Sequence, residues 1–194
     1  MDPDTERQWL AQASRDPAAF TQLYEHYFPR LYAYARYRVD EEHEAEEVVA
    51  ETFLKVVERL DRFEWRHGQS FAGWLFRIAR NVVIDRARRE RRTGTVALDD
   101  QVGLSSSGTS PDDAAVQGED FAHLHQLLAT LSPRRQEIIT LRFFAGLRNQ
   151  EIAQVLGLDE RTVAAHLCRG LEDLHQRYLT AGFRQEGAIH ECAR

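Results

Sequence analysis

Seven arginines fall within residues 71–92, FAGWLFRIARNVVIDRARRERR, against two acids, Asp85 and Glu90. The stretch therefore carries a local charge of +5 in a chain whose formal net charge is -6. Guanidinium groups bind phosphates through several directed N–H groups, so this density predicts a surface for a polyanion. The loop just before it holds Phe63 and Trp65 among further cations. Rings beside cations are typical of surfaces on which single-stranded nucleic acid stacks its bases.

An arginine-rich helix face can also be no more than a solvated surface. Three observations favour nucleic acid here: the cations are clustered, aromatic residues lie beside them, and a second DNA-binding pattern follows later in the chain. On a helix starting at Phe71, the apolar residues Trp74, Leu75 and Ile78 would form the core. The opposite face would present the polar residues Arg77, Arg80, Asn81, Asp85, Arg88 and Arg89.

The acidic charge of the chain is concentrated away from this face. Residues 93–120 contain six acids and no lysine or arginine, which equals the whole net charge. Residues 93–118 are rich in Gly, Ser, Thr and Asp and predict a flexible acidic linker. Residues 40–51 hold seven acids and no lysine or arginine, which indicates a second local field of opposite sign.

Helical periodicity dominates the part of the chain that must position these residues. Apolar residues recur at spacings of three and four, and no alternating strand pattern occurs. A short helix is expected near residues 5–14, before three amphipathic helices. Their apolar stripes are Phe20, Leu23, Tyr24, Tyr27, Phe28, Leu31, Tyr32 and Ala35; Ala45, Val48, Val49, Thr52, Phe53, Val56, Val57 and Leu60; and Phe71, Trp74, Leu75, Ile78, Ala79, Val82 and Val83.

The second half predicts a helix-turn-helix. An apolar face over residues 121–131 precedes Ser132 and Pro133, a helix N-cap and first position. A helix over residues 149–156 would end at a tight turn, and Asp159 would cap a longer helix towards Tyr178. The packing positions of the motif are Ile152, Ala153, Leu156, Gly157, Leu158 and Val163. A helical hairpin with a glycine turn is the alternative interpretation.

The second helix of this motif would enter a major groove with its N-terminal end first. Arginine can bind guanine O6 and N7, glutamate can accept from cytosine N4, and alanine can touch a thymine methyl. Glu160 can equally serve to complement the helix dipole. The candidate duplex-binding residues are Arg148, Glu160, Arg161, Thr162, Ala164, Ala165, His166, Cys168 and Arg169.

Composition excludes several classes of protein. The apolar runs are too short to span a bilayer, and the polar, acidic start lacks the pattern of a secretory signal. Cys168 and Cys192 are too few for a disulfide framework and too far apart for a metal pair, which favours a cytoplasmic protein. The sequence has no glycine-rich phosphate loop and no nucleophile near a base. We therefore expect no catalytic residues, no metal and no cofactor.

Taken in order, these segments resemble an extracytoplasmic-function (ECF) sigma factor of the sigma-70 family. The resemblance spans residues 19–174 and is carried by AFTQLYEHYFPRLYAYARYRV, EAEEVVAETFLKVVERL, FAGWLFRIARNVVIDRARRERR and LSPRRQEIITLRFFAGLRNQEIAQVLGLDERTVAAHLCRGLEDL. It implies an all-α chain with two small helical domains joined by the linker. The expected divisions are a sigma-two domain (1–92), the linker (93–118), a sigma-four domain (119–178) and a flexible tail (179–194).

The resemblance also implies partners: RNA polymerase core, promoter DNA and an anti-sigma factor. The acidic helix would dock on the clamp helices of the largest polymerase subunit through Glu44, Glu46, Glu47, Val48, Glu51 and Phe53. The minus-ten element would be held as a single strand by Phe63, Trp65, Arg66, Arg77, Arg80, Asn81, Asp85, Arg88 and Arg89. The helix-turn-helix would read the minus-thirty-five element as duplex.

The chain departs from the family pattern at two places. Arg148 stands where a capping Ser or Thr is usual, so Asn149 is expected to cap the first helix of the motif instead. Ala164, Ala165 and His166 replace a more cationic run and are also similar to LuxR-type heads. A stand-alone helix-turn-helix regulator with a dimerising or sensing N-terminal bundle therefore stays open, as does an interaction protein whose arginine face binds an acidic partner.

Overall fold

The computed structural model describes residues 3–39, 41–63, 70–93 and 124–180. The regular structure in these ranges is helical, which confirms the all-α prediction. The predicted linker after Thr93 and the tail from residue 181 lie outside the described residues. The helices are α1 (Pro3–Ala13), α2 (Pro17–Arg36), α3 (Glu42–Arg59) with a 3-10 turn (Leu60–Arg62), α4 (Phe71–Thr93), α5 (residues 124–129), α6 (Pro133–Phe143), α7 (Asn149–Leu156) and α8 (Glu160–Thr180).

The first four helices form a bundle around an aromatic core. α2 starts where the Asp16 carboxylate accepts a hydrogen bond from the Ala18 N–H (2.9 Å) and Pro17 occupies the first turn. Tyr27 and Tyr34 project from α2 and meet Phe71 and Phe76 of α4 edge-on, with ring centroids 5.3 and 5.6 Å apart. Such pairs add to the stabilisation from buried area. α4 therefore has one side in the core, and its other side is left for polar residues.

The predicted apolar stripe of α3 is buried except at Val57, and Leu60 beyond it is buried again. Val48 and Val56 are buried, whereas Val57 is 54% exposed. Each helical residue advances by about 100°, so Val57 lies about 100° from its neighbour Val56 even though it follows Phe53 at an allowed spacing. The expectation that Val57 belongs to the core is therefore wrong.

The second half contains the predicted helix-turn-helix. Ile152, Ala153 and Val163 are buried at the junction of α7 and α8. α7 ends at Gly157, whose φ of 66° lies in the left-handed region that favours glycine. The Asp159 carboxylate then accepts a hydrogen bond from the Thr162 N–H (2.7 Å) and caps α8 as expected.

The N-terminus of α7 differs from the expectation. Arg148 is the N-cap residue, and the Glu151 carboxylate accepts from the Arg148 backbone N–H (2.7 Å). The side-chain oxygen of Asn149 is buried and makes no hydrogen bond among the described residues. Asn149 is therefore not the cap. The Arg148 side chain cannot cap the helix, because an arginine side chain has no acceptor atom. The Glu151 carboxylate instead accepts a hydrogen bond from a backbone N–H at the start of α7.

The two halves pack against each other and share one core. Ile138, Leu141, Leu147 and Ile152 belong to the same apolar cluster as the helices of the first half. α7 lies against α4, and Tyr37 stacks on the ring of Phe144 at 3.7 Å. The sequence predicted two domains, but nothing in its periodicity indicated this contact between them.

Candidate nucleic-acid interface

Four of the predicted single-strand residues line one cleft on α4. Arg80 and Asn81 are adjacent on α4, and Asp85 and Arg88 follow at spacings of four and three residues, so all four line the same cleft. The cleft has a volume of about 390 Å³. We call it the α4 cleft and define it by its lining residues: Lys55, Arg59, Ile78, Arg80, Asn81, Ile84, Asp85 and Arg88.

Lys55 and Arg59 of α3 supply two further cations that sequence reasoning missed. Their spacing of four residues on one helix was the available signal, since it places both on one face. The Lys55 ammonium also contacts the Glu51 carboxylate at 2.8 Å, whereas Arg59 is exposed. The cleft thus combines four cations with one carboxylate and one amide. That combination suits an anionic backbone together with a polar base edge.

The aromatic residues of the predicted platform have different positions. The ring of Phe63 packs edge-on against Phe71 at 5.5 Å and tilts against Trp74 at 5.1 Å. Phe63 is therefore partly engaged with the bundle and presents only part of its ring. Trp65 and Arg66 lie outside the described residues, as does the loop over residues 64–69.

The remaining predicted cations divide into two groups. Arg77 is exposed, and the Arg88 side chain is 74% exposed beside Asp85. Arg89 instead points towards α3, with 3.3 Å between its guanidinium and the Glu51 carboxylate. Arg86, which was not among the predicted site residues, bonds Glu47 and also approaches Glu51 at 3.9 Å. Arg86 and Arg89 therefore connect α3 to α4.

The contacts with arginines of α4 also lower the pKa values of two carboxyl groups on the acidic helix α3. The hydrogen bond from Arg86 lowers the pKa of the Glu47 carboxyl. Burial raises the pKa of the Glu51 carboxyl, but Lys55 and Arg89 together outweigh burial and hold that pKa below its ordinary value. Glu44 accepts from the Glu41 N–H at the start of α3, so it serves the helix end. Glu46 is exposed.

Two of the predicted docking residues are inside the bundle. Val48 and Phe53 are buried, so their side chains support α3 from within and do not reach a partner. Sequence reasoning missed the apolar residues on the outside, Leu54 (60% exposed) and Val57. We call this surface the α3 outer face and define it by Glu46, Glu47, Ala50, Leu54, Val57 and Glu58, all exposed.

The side of α8 that was predicted to enter a major groove is partly exposed. Glu160, Arg161, Cys168 and Arg169 are exposed, as is most of the Arg148 side chain. The predicted residues between them are half-buried: Thr162, Ala164, Ala165 and His166. Thr162 is also engaged with the Asp159 cap. The His166 Nδ1 atom is buried and makes no hydrogen bond within the described ranges.

The first helix of the motif contacts the arginine helix directly. A Cβ placed at Gly73 of α4 would lie 3.3 Å from the Gln154 Oε1 atom and 3.8 Å from the Glu151 Cβ. Burial raises the pKa of the Glu151 carboxyl, but hydrogen bonds from Ser70 and Arg148 outweigh it and leave that pKa lowered. The lowered pKa keeps a negative charge where α7 meets the start of α4.

The described residues contain neither a candidate metal site nor a candidate membrane span. No group of three or more His, Cys, Asp and Glu side chains there is arranged to hold a metal ion. In the same ranges, none of the helices has both the length and the apolar character needed to cross a membrane.

Comparison with known proteins identifies the family of both halves. Residues 23–93 match Sigma-70 region 2, and residues 122–174 match Sigma-70, region 4. The ECF RNA polymerase sigma factor SigX of Bacillus subtilis is 32% identical over 162 residues, covering 81% of this chain and 82% of that protein. The ECF RNA polymerase sigma factor BldN of Streptomyces coelicolor is 33% identical, covering 80% of this chain but 59% of BldN.

Two solved structures share the arrangement of helices. CnrH, solved in complex with the cytosolic domain of CnrY, is 26% identical with a TM-score of 0.69, covering 92% of this chain and 99% of CnrH. The sigma factor RpoE, solved with the anti-sigma factor NepR from Bartonella quintana, is 25% identical with a TM-score of 0.61. That match covers 84% of this chain and 98% of RpoE. With a region-2 bundle and a region-4 helix-turn-helix in one chain, the protein belongs to the extracytoplasmic-function sigma factors of the sigma-70 family.

Proposed function

We propose that this protein is a dissociable subunit of RNA polymerase that directs the core enzyme to promoters and helps to open them. The observation that carries the proposal is the presence, in one chain, of a cationic cleft on α4 and a helix-turn-helix on α7 and α8. The first suits single-stranded DNA and the second suits duplex DNA. A protein with both surfaces can recognise a site and hold it open.

The α4 cleft is the proposed site for the minus-ten element. Arg80 and Arg88 would hold backbone phosphates, joined by Lys55 and Arg59 from α3. Asn81 would contact a base edge, because its amide both donates and accepts. Arg77 would add one more cation a helical turn before Arg80. Arg89 instead contacts Glu51 and connects α3 to α4.

The helix-turn-helix is the proposed reader of the minus-thirty-five element. Arg161 and Arg169 are the exposed cations of α8, and Arg148 adds one from the start of α7. Glu160 and Ala164 lie at the N-terminal end of α8, which would approach the base edges first. Ala165, His166 and Cys168 complete the proposed groove-facing set.

The α3 outer face is the proposed contact with the clamp helices of the largest polymerase subunit. Leu54 and Val57 offer exposed apolar area, and Glu46, Glu47 and Glu58 surround it with negative charge. Apolar residues rimmed by charges are typical of a protein–protein interface. The α3 outer face is exposed in the free chain, as expected for a surface that binds its partner reversibly.

The remaining proposals follow from the family. The protein acts in the cytoplasm, carries no catalytic site and needs no cofactor. RpoE of Bartonella quintana was solved with an anti-sigma factor, and we propose a regulator of that kind for this chain. The domain limits proposed are residues 1–92 for the minus-ten domain and 119–178 for the minus-thirty-five domain.

Reconstituted transcription tests this function. The purified full-length protein is added to core polymerase on a genomic fragment library, and run-off transcripts are sequenced. We expect transcripts with common minus-ten and minus-thirty-five sequences that core polymerase alone does not make. Absence of any such transcript would exclude the proposed function. A gel shift in parallel separates it from a stand-alone regulator, which would bind a palindromic duplex without polymerase.

A further inference from the structure

Helix α1 precedes the part of the chain that the family match covers. The Sigma-70 region 2 match begins at residue 23, whereas α1 spans Pro3–Ala13. Leu10 and Ala13 of α1 are buried in the main apolar core, and Trp9 packs against the same core. α1 is therefore an integral part of the first bundle, although the surfaces proposed for DNA and polymerase do not include it.

One hydrogen bond joins α1 to a buried tyrosine of α2. The hydroxyl of Tyr27 donates to the Glu6 carboxylate, and Tyr27 is only 2% exposed. Burial, together with the charge and the hydrogen bond of Glu6, raises the pKa of the Tyr27 hydroxyl, so this hydroxyl stays protonated and remains a donor. Without the Glu6 acceptor the buried hydroxyl would lack this partner, which costs free energy unless the ring moves. Glu6 therefore fixes the position of the Tyr27 ring.

The Tyr27 ring begins a series of aromatic contacts that leads from α2 to the segment before α4. Tyr27 meets Phe71 with 5.3 Å between the ring centroids and an angle of 66° between the planes. Phe71 meets Phe63 at 5.5 Å and 86°. Both contacts are edge-on, and their energy depends on the relative orientation of the rings. Because protein interiors are close-packed, a shift of one ring displaces the next. We call Tyr27, Phe71 and Phe63 the aromatic path.

Phe63 is the end of the aromatic path that reaches the protein surface. Its side chain is half-buried, and Trp74 covers part of the ring with 5.1 Å between centroids. Arg59, which lines the α4 cleft, lies four residues earlier in the chain. A base stacks on the face of a ring, so a ring that is only partly exposed must be held in one orientation to bind well. The packing behind Phe63 therefore bears on its use as a stacking surface.

We propose that α1 is a positioning element for single-stranded DNA, with Glu6 holding the Phe63 ring in place through the aromatic path. Glu6 and Tyr27 do not touch the strand. They set the orientation of a ring on which a base stacks. The part that concerns DNA rests on the proposed function of the first bundle, whereas the coupling from Glu6 to Phe63 does not.

Nuclear magnetic resonance tests this coupling on the full chain, without polymerase or DNA. The Phe63 ring signals are recorded with isotope-labelled phenylalanine and assigned by their loss in Phe63→Leu. Neighbouring rings shift these signals according to distance and angle. Glu6→Ala should therefore move the Phe63 signals. Asp4→Ala is the matched control, because Asp4 is an exposed acid in the same first turn of α1. It should leave them in place.

Fluorescence anisotropy tests the effect on DNA, using reconstituted holoenzyme and a labelled single-stranded minus-ten oligonucleotide. Glu6→Ala should lower the affinity about fivefold, the low end of what stacking of one base contributes. The slope of log affinity against log salt should stay the same, because no phosphate contact is lost. Binding to core polymerase should also be unchanged. A purely structural role of Glu6 would instead weaken core binding together with oligonucleotide binding.

Two further variants separate the hydrogen bond from the charge and from the ring. Glu6→Gln keeps an oxygen acceptor for the Tyr27 hydroxyl, so its Phe63 signals and its affinity should stay close to those of the natural protein. Tyr27→Phe keeps the ring but releases it from α1. It should reproduce the signal shift and the loss of affinity, and it replaces Glu6→Ala if that variant fails to fold.

The outcomes are distinguishable. Unchanged Phe63 signals in folded Glu6→Ala would overturn the coupling. Shifted signals with unchanged oligonucleotide affinity would overturn the role of α1 in DNA binding. If holoenzyme with the natural protein bound no minus-ten oligonucleotide, the proposed function would fail together with the part that concerns DNA, whereas the resonance measurement would still decide the coupling.

Discussion

The guanidinium of Arg30 in α2 donates from Nε to the carbonyl oxygen of Ala145, which is 2.8 Å away and 115 residues further along the chain. The carbonyl of Gly146 lies 3.3 Å from another nitrogen of the same group. These carbonyls belong to the turn that follows α6, beyond its C-cap residue Phe144. Backbone carbonyls outside a helix need another hydrogen-bond donor. The cation also lies 5.3 Å from the centre of the Tyr27 ring. Arg30 therefore satisfies backbone groups of the second half with a side chain of the first.

Arg30→Ala should lower the free energy of unfolding by about 1.5–3 kcal/mol, the range for hydrogen bonds to a charged group. Urea unfolding followed by circular dichroism measures it. Arg15→Ala is the control, because Arg15 is exposed on the same half. That change should stay within about 0.5 kcal/mol. Equal effects of the two changes would refute the role of Arg30.

Gly157→Ala should destabilise the helix-turn-helix by about 1–2 kcal/mol, because Gly157 has a φ of 66°. No atom lies within 4 Å of an added Cβ there, so the cost is in the backbone and not in a clash. Gly157→Asn should cost less, since Asn tolerates this conformation. Thermal unfolding compares the two variants, and the interpretation fails if Ala is tolerated as well as Asn.

Two valines of α3 should separate stability from partner binding. Val57→Ala removes exposed apolar area from the α3 outer face, so it should weaken binding to core polymerase and change stability by less than about 0.5 kcal/mol. Val48→Ala makes the same chemical change in the core and should cost about 1–3 kcal/mol in stability. Denaturation and a core-binding titration are measured for both. Unchanged core affinity in Val57→Ala would contradict the docking surface.

Arg88→Ala should reduce the salt dependence of holoenzyme binding to a single-stranded minus-ten oligonucleotide. Loss of one phosphate contact on single-stranded DNA should change the slope of log affinity against log salt by about 0.7. Anisotropy titrations at several salt concentrations measure the slope. Arg15→Ala, away from the α4 cleft, should leave the slope as it is. An unaltered slope in Arg88→Ala would remove Arg88 from the proposed strand contacts.

Glu151 should make stability depend on pH in the acid range. Its folded-state pKa is lowered below the ordinary value of 4.5, so its ionised form stabilises the fold at pH values above that value. This contribution is lost as pH falls through the lowered pKa. The difference in unfolding free energy between the natural protein and Glu151→Gln should therefore narrow as the pH falls below about 4.5. A difference that stays constant over this range would contradict the assignment.

The prediction of the helices from sequence succeeded where the signals are local. Asp159 caps α8 because its carboxylate reaches an N–H three residues away, and Gly157 ends α7 because its own φ is positive. The prediction that Asn149 caps α7 was wrong for a reason that is also local. Either Asn149 or Glu151 was close enough in sequence to cap the helix, and the Glu151 carboxylate accepts from the Arg148 backbone N–H. Exposure of Val57 was misjudged because spacing alone does not locate the centre of a stripe.

The sequence predicted which residues make up the candidate site, but it did not predict which acidic residue each arginine contacts. Sequence alone determined that the chain is helical, that α4 has one polar and cationic side and that a helix-turn-helix follows, because these properties repeat within a few residues. Only the tertiary structure decided which anion each arginine meets: Arg80 meets Glu137, and Arg86 meets Glu47. Such pairs join helices far apart in the chain. They depend on how the helices pack against one another, which no periodicity along a single helix encodes.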